Sequence, residues 1–224
     1  MTSAFDLVVR GGQVVDGNGG APVLADVAID AGRIVQVGRV RARGREEIDA
    51  RDHVVTPGFV DIHTHYDGQA TWENRLVPSS AHGVTTVVMG NCGVGFAPCH
   101  PDQHELLVQL MEGVEDIPHP VLVDGLPWTW ETYPQYLDFL AERQFDMDVC
   151  SQLPHAALRV YVMGQRGVDR EAATQADLLA MAELAREAML AGALGITTSR
   201  TFFHRSSDGR STPSFEAAEA ELLA

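Results

Sequence analysis

Up to Pro57 the chain alternates apolar and polar positions in short runs: "DLVVR", "QVVD", "DVAID" and "RIVQVG". Turn residues separate them at Gly11-Gly12, "GNGG" and Ala31-Gly32. The pattern predicts a small antiparallel sheet. After Pro57 the rhythm changes. "GFVDIH", "VTTVVMG", "DMDVCSQL" and "ALGITTS" read as strands, with helical patterns between them. The clearest helix is predicted over 175–191, with Thr174 as N-cap, Asp177 three residues on, and Gly192 as the stop. Leu178, Met181, Leu184, Ala185, Ala188 and Met189 share one face of it. Strands alternating with helices imply a parallel sheet covered on both faces. Residues 97–143 form a long excursion after the second strand, where "DQHELLVQLMEG" and "YPQYLDFLAER" flank the aromatic stretch "LPWTWETY". Long excursions on such frameworks sit near the binding face. The last stretch, "FEAAEAELLA", reads as an amphipathic helix without a C-cap, so the chain is expected to stop inside an element.

Composition adds exclusions. At 224 residues and 45% hydrophobic, the chain can bury a substantial core. No apolar run approaches the roughly 20 residues of a membrane span, and Asp6 stands where a signal peptide needs a basic region, so a soluble cytoplasmic protein is expected. A net charge of -15 argues against nucleic acid and anionic membranes as partners. An anionic substrate would therefore need local arginines. Cys92, Cys99 and Cys150 are odd in number and irregularly spaced, which argues for a ligand or buried thiols and against a disulfide framework. All 16 basic residues are arginine, and the chain has no lysine.

The chemistry concentrates in "TPGFVDIHTHYDG", residues 56–68. On a strand, His63 and His65 project to one side, close enough to share a metal ion. Asp61 lies on the same side as a residue that could fix a ring tautomer. Alone, H-x-H reads equally as a surface turn. The second strand then delivers Asn91 and Cys92 between Gly90 and Gly93. In a parallel α/β barrel the carboxyl ends of adjacent strands face one mouth, so Cys92 would meet both histidines there. Thiolate plus imidazole is a zinc-like set. The alternative for Cys92 is a small buried hydrophobe.

Taken together, "GFVDIHTHYDGQATW", "PSSAHGVTTVVMGNCGVGFAP", "MEGVEDIP", "LPWTWETYPQYLDFLAER", "LRVYVMG" and "GALGITTSRT" resemble the N-acyl-D-amino-acid deacylase (D-aminoacylase) branch of the amidohydrolase superfamily. The resemblance implies a metal-dependent (β/α)8 barrel and a small β-sandwich built from both chain ends. Residues 1–55 would supply part of the sandwich and residues 56–224 the first half of the barrel. It also implies one or two Zn2+ ions in the complete enzyme, with His63, His65 and Cys92 as metal ligands. The implied reaction is amide hydrolysis, with an N-acyl amino acid or related amide as the small-molecule substrate and a late aspartate carrying the proton. Many superfamily members bridge two metals with a carboxylated lysine, which this chain lacks. The branch resembled uses a cysteine after the second strand. A barrel takes about 250 residues, whereas residues 54–224 offer four strand candidates, so the amino-terminal part of a longer enzyme is expected, inactive by itself.

Other residues carry divided readings. Arg200 could bind a substrate carboxylate or hold a loop. His155 reads as hydrogen-bonded structure, His82 as part of the barrel's stability face, and His100 and His104 as solvated surface. Two further functions stay in view: a hydantoinase-like cyclic amidase, which normally needs the bridging lysine, and a non-catalytic fragment.

Overall fold

The computed structural model describes residues 4–115, 117–206 and 208–223. It divides into two compact units, Met1–Gly58 and Phe59–Ala224.

The first unit is one sheet of strands β1 (Phe5–Val14), β2 (Val23–Asp30), β3 (Arg33–Gly38), β4 (Gly44–Asp49) and β5 (Val54–Val55). Their order is β3-β2-β1-β4, with β5 also on β1. The sheet is mixed, whereas an antiparallel one was expected. β2 runs antiparallel to β1 and β3, while β4 and β5 lie parallel to β1. The Gly11-Gly12 turn is also corrected: β1 runs straight through it, and the register with β2 shifts between Val9 and Gly12 as a bulge. Val8, Ala28 and Val40 form the small core. Asp26 ties the strands together, accepting from the Gly11 amide at 2.8 Å and the Val40 amide at 3.1 Å. Arg10 pairs with it and donates to the carbonyls of Val40 and Ala42.

The second unit is α/β. Strands β6 (Phe59–Asp61), β7 (Val84–Met89) and β8 (Asp148–Ser151) pair parallel in that order. One residue beyond β8, β9 (Leu153–Pro154) continues the same path and pairs parallel with β10 (Ile196–Thr197). The four strand segments predicted after Pro57 thus stand side by side in chain order, their carboxyl ends on one edge.

Helices α1 (His104–Glu115), α2 (His119–Gly125) and α3 (Tyr133–Ala141) fill the excursion after β7. Next come α4 (His155–Met163), α5 (Gln165–Val168), α6 (Gln175–Ala191) and α7 (Glu219–Leu222). The expected terminal helix over "FEAAEAELLA" is confined to α7. Val87, Met89, Leu107, Met111, Leu122, Tyr136 and Leu153 are buried in one core that joins β7 and β9 to the excursion. Among the described residues no helix is long and apolar enough to cross a membrane.

Helix α6 follows its sequence signals. Thr174 accepts from the Asp177 amide, and Asp177 reaches back to the Thr174 amide, forming a capping box. Gly192 ends the helix in a left-handed conformation at φ 114°. Met181 and Ala188 are buried, but Met189 is 37% exposed and stands off the core. The Arg166 guanidinium, donating to Asp177 at 2.9 Å, holds that carboxyl well below the usual range, with the Thr174 amide adding to the effect. Thr174→Ala removes the cap acceptor and should lower unfolding free energy by about 1 kcal/mol in urea melts. An unchanged midpoint would show that the cap contributes nothing.

Candidate metal centre

The residues of the H-x-H motif do not lie on a strand. β6 ends at Asp61, and His63 sits in a bend beyond it. The alternation survives because Thr64 is pinned: its amide donates to the Val88 carbonyl at 3.0 Å, and its hydroxyl to the same carbonyl at 2.8 Å. Thr64 is buried against β7. His63 and His65 flank it with ring centres 5.4 Å apart, tilted by 55°. Asp61 does not orient a ring as expected. Its carboxylate accepts from the His63 backbone amide at 3.2 Å.

Cys92 reaches the same place from β7. The chain turns over Asn91–Gly93, with Cys92 itself left-handed at φ 54°. The turn is possible because the backbones crowd there: a Cβ on Gly90 would stand 2.0 Å from the Gln152 carbonyl oxygen, and one on Gly93 would stand 2.9 Å from the Thr198 Cα. Asn91 fastens the turn to the histidine segment. Its buried amide donates to the carbonyls of Val88 (2.8 Å) and Thr64 (3.2 Å), and its oxygen accepts from Gln152 at 3.1 Å.

The result is a cluster. His63 Nε2 lies 3.2 Å from Cys92 Sγ, and one ligand atom from each of His63, His65 and Cys92 lies within 4.8 Å of the others. Ligands bound tetrahedrally at zinc distances of roughly 2.0 to 2.3 Å are themselves about 3.5 Å apart, so the donor set fits one such ion. An open groove of about 350 Å³ lies alongside, lined by Asp61, His63, His65, Tyr66, Ser79 and Ile117 among others. The Tyr66 and Ser79 hydroxyls are hydrogen-bonded at 2.8 Å.

His204 adds to the surroundings and was not singled out in the sequence. It bonds to the Ser199 hydroxyl at 2.8 Å, just past β10. Its field acts on His65, and that of His63 acts on it. A histidine in the irregular stretch "FFHRSS" carries no periodic signal that would mark it.

Each of the other candidates has partners of its own. Arg200 is exposed and donates to the Ala217 carbonyl at 3.1 Å. His155, 2% exposed, is bonded to Thr198 and Glu221, as a structural histidine. His82 precedes β7 and bonds to the Pro78 carbonyl. His100 and His104 are not free solvated side chains: they stack on Tyr161 at 3.8 Å and Trp128 at 3.9 Å, partners that become neighbours only in the fold. Cys92, Cys99 and Cys150 form no disulfide, and burial pushes the Cys99 thiol up to about 12.

With this geometry in hand, the relatives are informative. A model of the amidohydrolase family matches residues 46–224. The chain belongs to the amidohydrolase family. Within it, the chain is 37% identical over 201 residues to N-acyl-D-aspartate deacylase of Alcaligenes xylosoxydans xylosoxydans, a match covering 88% of this chain and 37% of that protein. A solved structure of D-aminoacylase, a protein described with a binuclear metal centre, superposes with a TM-score of 0.78 at 32% identity, over 98% of this chain and 42% of that one. N-acyl-D-glutamate deacylase from Bordetella bronchiseptica, solved with zinc and a phosphonate mimic of the tetrahedral intermediate, gives 0.72 at 28% identity, over 97% and 41%. The chain thus spans about two fifths of the length of these amidohydrolases, and its mixed α/β fold is that of the matched part of theirs, consistent with a partial barrel.

The electrostatics of this amidohydrolase cluster favour a neutral His65. Burial first, then the neighbouring His63 and His204, pushes His65 down to about 4 from an ordinary 6.5. The unfolded chain therefore binds more protons between these values, and the stability contributed by a neutral His65 is lost as pH falls through that window. Urea melts of the metal-free protein should show stability falling between pH 6.5 and 4, with a shallower fall for His65→Gln. Identical slopes for the two would contradict the burial account.

Proposed function

We propose that the complete protein is a metal-dependent hydrolase of non-peptide C–N bonds that removes the acyl group from N-acyl-D-amino acids. In this reading His63, His65 and Cys92 hold zinc, residues 1–55 belong to a small β-sandwich, and residues 56–224 form the first half of a barrel. The observation that supports it is the convergence of two imidazoles and a thiol within 4.8 Å at the carboxyl ends of adjacent parallel strands. The likeness to three deacylases adds the reaction class.

A bound zinc ion supplies Lewis acidity for the amide carbonyl and lowers the pKa of a coordinated water to about 7. The chain's own residues prepare that chemistry. Cys92 contributes one negative charge, and the two imidazoles bind as neutral donors. Thr64 and Asn91 hold the two ligand segments at a fixed separation, so little reorganisation accompanies binding. The groove beside the histidines receives the substrate, with Tyr66 and Ser79 offering hydroxyls and Ile117 an apolar contact. Asp61 is engaged by the His63 amide, so we assign the proton carrier to no residue of this chain.

A lysine at the end of the fourth strand would favour the hydantoin-like alternative, and "GALGITTSR" offers none, which favours linear amides.

The complete protein, assayed with a panel of N-acyl-D-amino acids and hydantoins, should release the free amino acid in a zinc-dependent way. Cys92→Ala should lower that rate about a hundredfold or more. A fully active Cys92→Ala enzyme would remove the cysteine from the site. Turnover of hydantoins above that of N-acyl amino acids would move the protein to the cyclic amidases.

A further inference from the structure

We propose that Thr197, on β10, is the positioning residue that sets the Cys92 thiolate for metal. This inference rests on the metal reading above and deepens it. The Thr197 side chain brackets the turn that carries Cys92. Its hydroxyl accepts from the Gly93 amide at 3.1 Å and donates to the Gly90 carbonyl. These two groups stand on either side of Asn91 and Cys92, so one hydroxyl closes the turn from outside. Cys92 occupies a left-handed conformation, φ 54° and ψ 14°, that a non-glycine residue adopts only where its surroundings impose it. Without the bracket, nothing in the Cys92 side chain favours that conformation, and the sulfur would swing away from His63.

The bracket is itself held rigidly. Thr197 pairs with Pro154 across β10 and β9. The next residue, Thr198, is hydrogen-bonded to His155 Nδ1 at 2.8 Å, and His155 Nε2 donates to Glu221 at 2.8 Å. Arg159 pairs with the same carboxylate, and the side chains of His155, Arg159 and Glu221 are all at most 3% exposed. A buried polar chain of this kind has few alternative arrangements, because each broken link leaves a desolvated group unsatisfied. It therefore fixes the height of β10 against the Cys92 turn. The sequence pattern "GITTSR" marks Thr197 only as a β-branched strand residue, and its role exists only through a partner 104 positions earlier in the chain.

The test is cobalt binding by the complete, metal-free protein, titrated with cobalt(II) chloride. A cobalt–thiolate bond gives a near-ultraviolet charge-transfer band that nitrogen and oxygen ligands do not, so the readout follows Cys92 and not turnover. Thr197→Val keeps the shape and removes the hydroxyl; it should weaken cobalt binding about tenfold and diminish the band per bound ion. Thr197→Ser keeps the hydroxyl and should match the parent. Thr198→Val loses the bond to His155 but keeps the Thr197 bracket, so it should lower the melting temperature and diminish the band less than Thr197→Val does. An unchanged band and affinity in Thr197→Val would overturn the assignment, as would an equal loss in Thr198→Val. If Thr197→Val does not fold, Thr197→Ser still decides: a folded serine variant without the band overturns the assignment. No band in the parent would overturn the metal reading and this inference together, whereas a parental band that survives in Thr197→Val overturns this inference alone.

Discussion

The parallel register of β6, β7 and β8 governs the rest of the second unit. Asp61 stands against Val87, and Val87 against Val149, so the three strands leave the sheet at nearly the same height. The segments that continue from these strands must then share one edge. His63 and His65 leave from β6 and Cys92 from β7, while Ser199 with its partner His204 comes after β10. The crowding that this produces has a steric cost, met by glycine at position 90, where any Cβ would collide with the Gln152 carbonyl. It also creates buried polar groups, and Asn91 satisfies them across both gaps.

Local rigidity and latent instability coexist at this edge. Thr64 and Asn91 hold the ligand-bearing segments by hydrogen bonds to main-chain carbonyls, which fixes their spacing whether or not an ion is bound. Burial of His65, with His63 and His204 beside it, however, opposes its protonation. A cation held by the cluster would compete with protons for the same ring nitrogens, so metal binding and a neutral His65 favour one another. The same geometry that makes the apo site vulnerable to acid therefore makes it receptive to metal.

Much of this was legible in the sequence where the signal is local. Helix α6 follows from Thr174, Asp177 and Gly192, each acting within four residues of its own position. The order of strands after Pro57 and the meeting of the H-x-H segment with the Cys92 turn follow from periodicity and chain direction. The features that the sequence concealed depend on contacts between distant residues. β4 has a charged sequence, "GREEID", and is a strand because β1 supplies its hydrogen bonds. The bulge at Gly11-Gly12 looks like a turn until β2 pairs on both sides of it. His100 and His104 have the spacing of a solvated helix face, yet aromatic rings from Tyr161 and Trp128 cover them. Thr197, His204 and the caging role of Asn91 leave no periodic trace, because each acts through atoms brought close by the sheet.

The central claim is that two histidines and one cysteine of this chain hold a single ion. X-ray absorption at the zinc edge of the zinc-loaded complete protein addresses it most directly, since sulfur and nitrogen scatter at different distances. The account predicts one sulfur at about 2.3 Å together with nitrogen neighbours at about 2.0 to 2.1 Å, the sulfur being lost in Cys92→Ala. A shell of nitrogen and oxygen alone in the parent protein would contradict it.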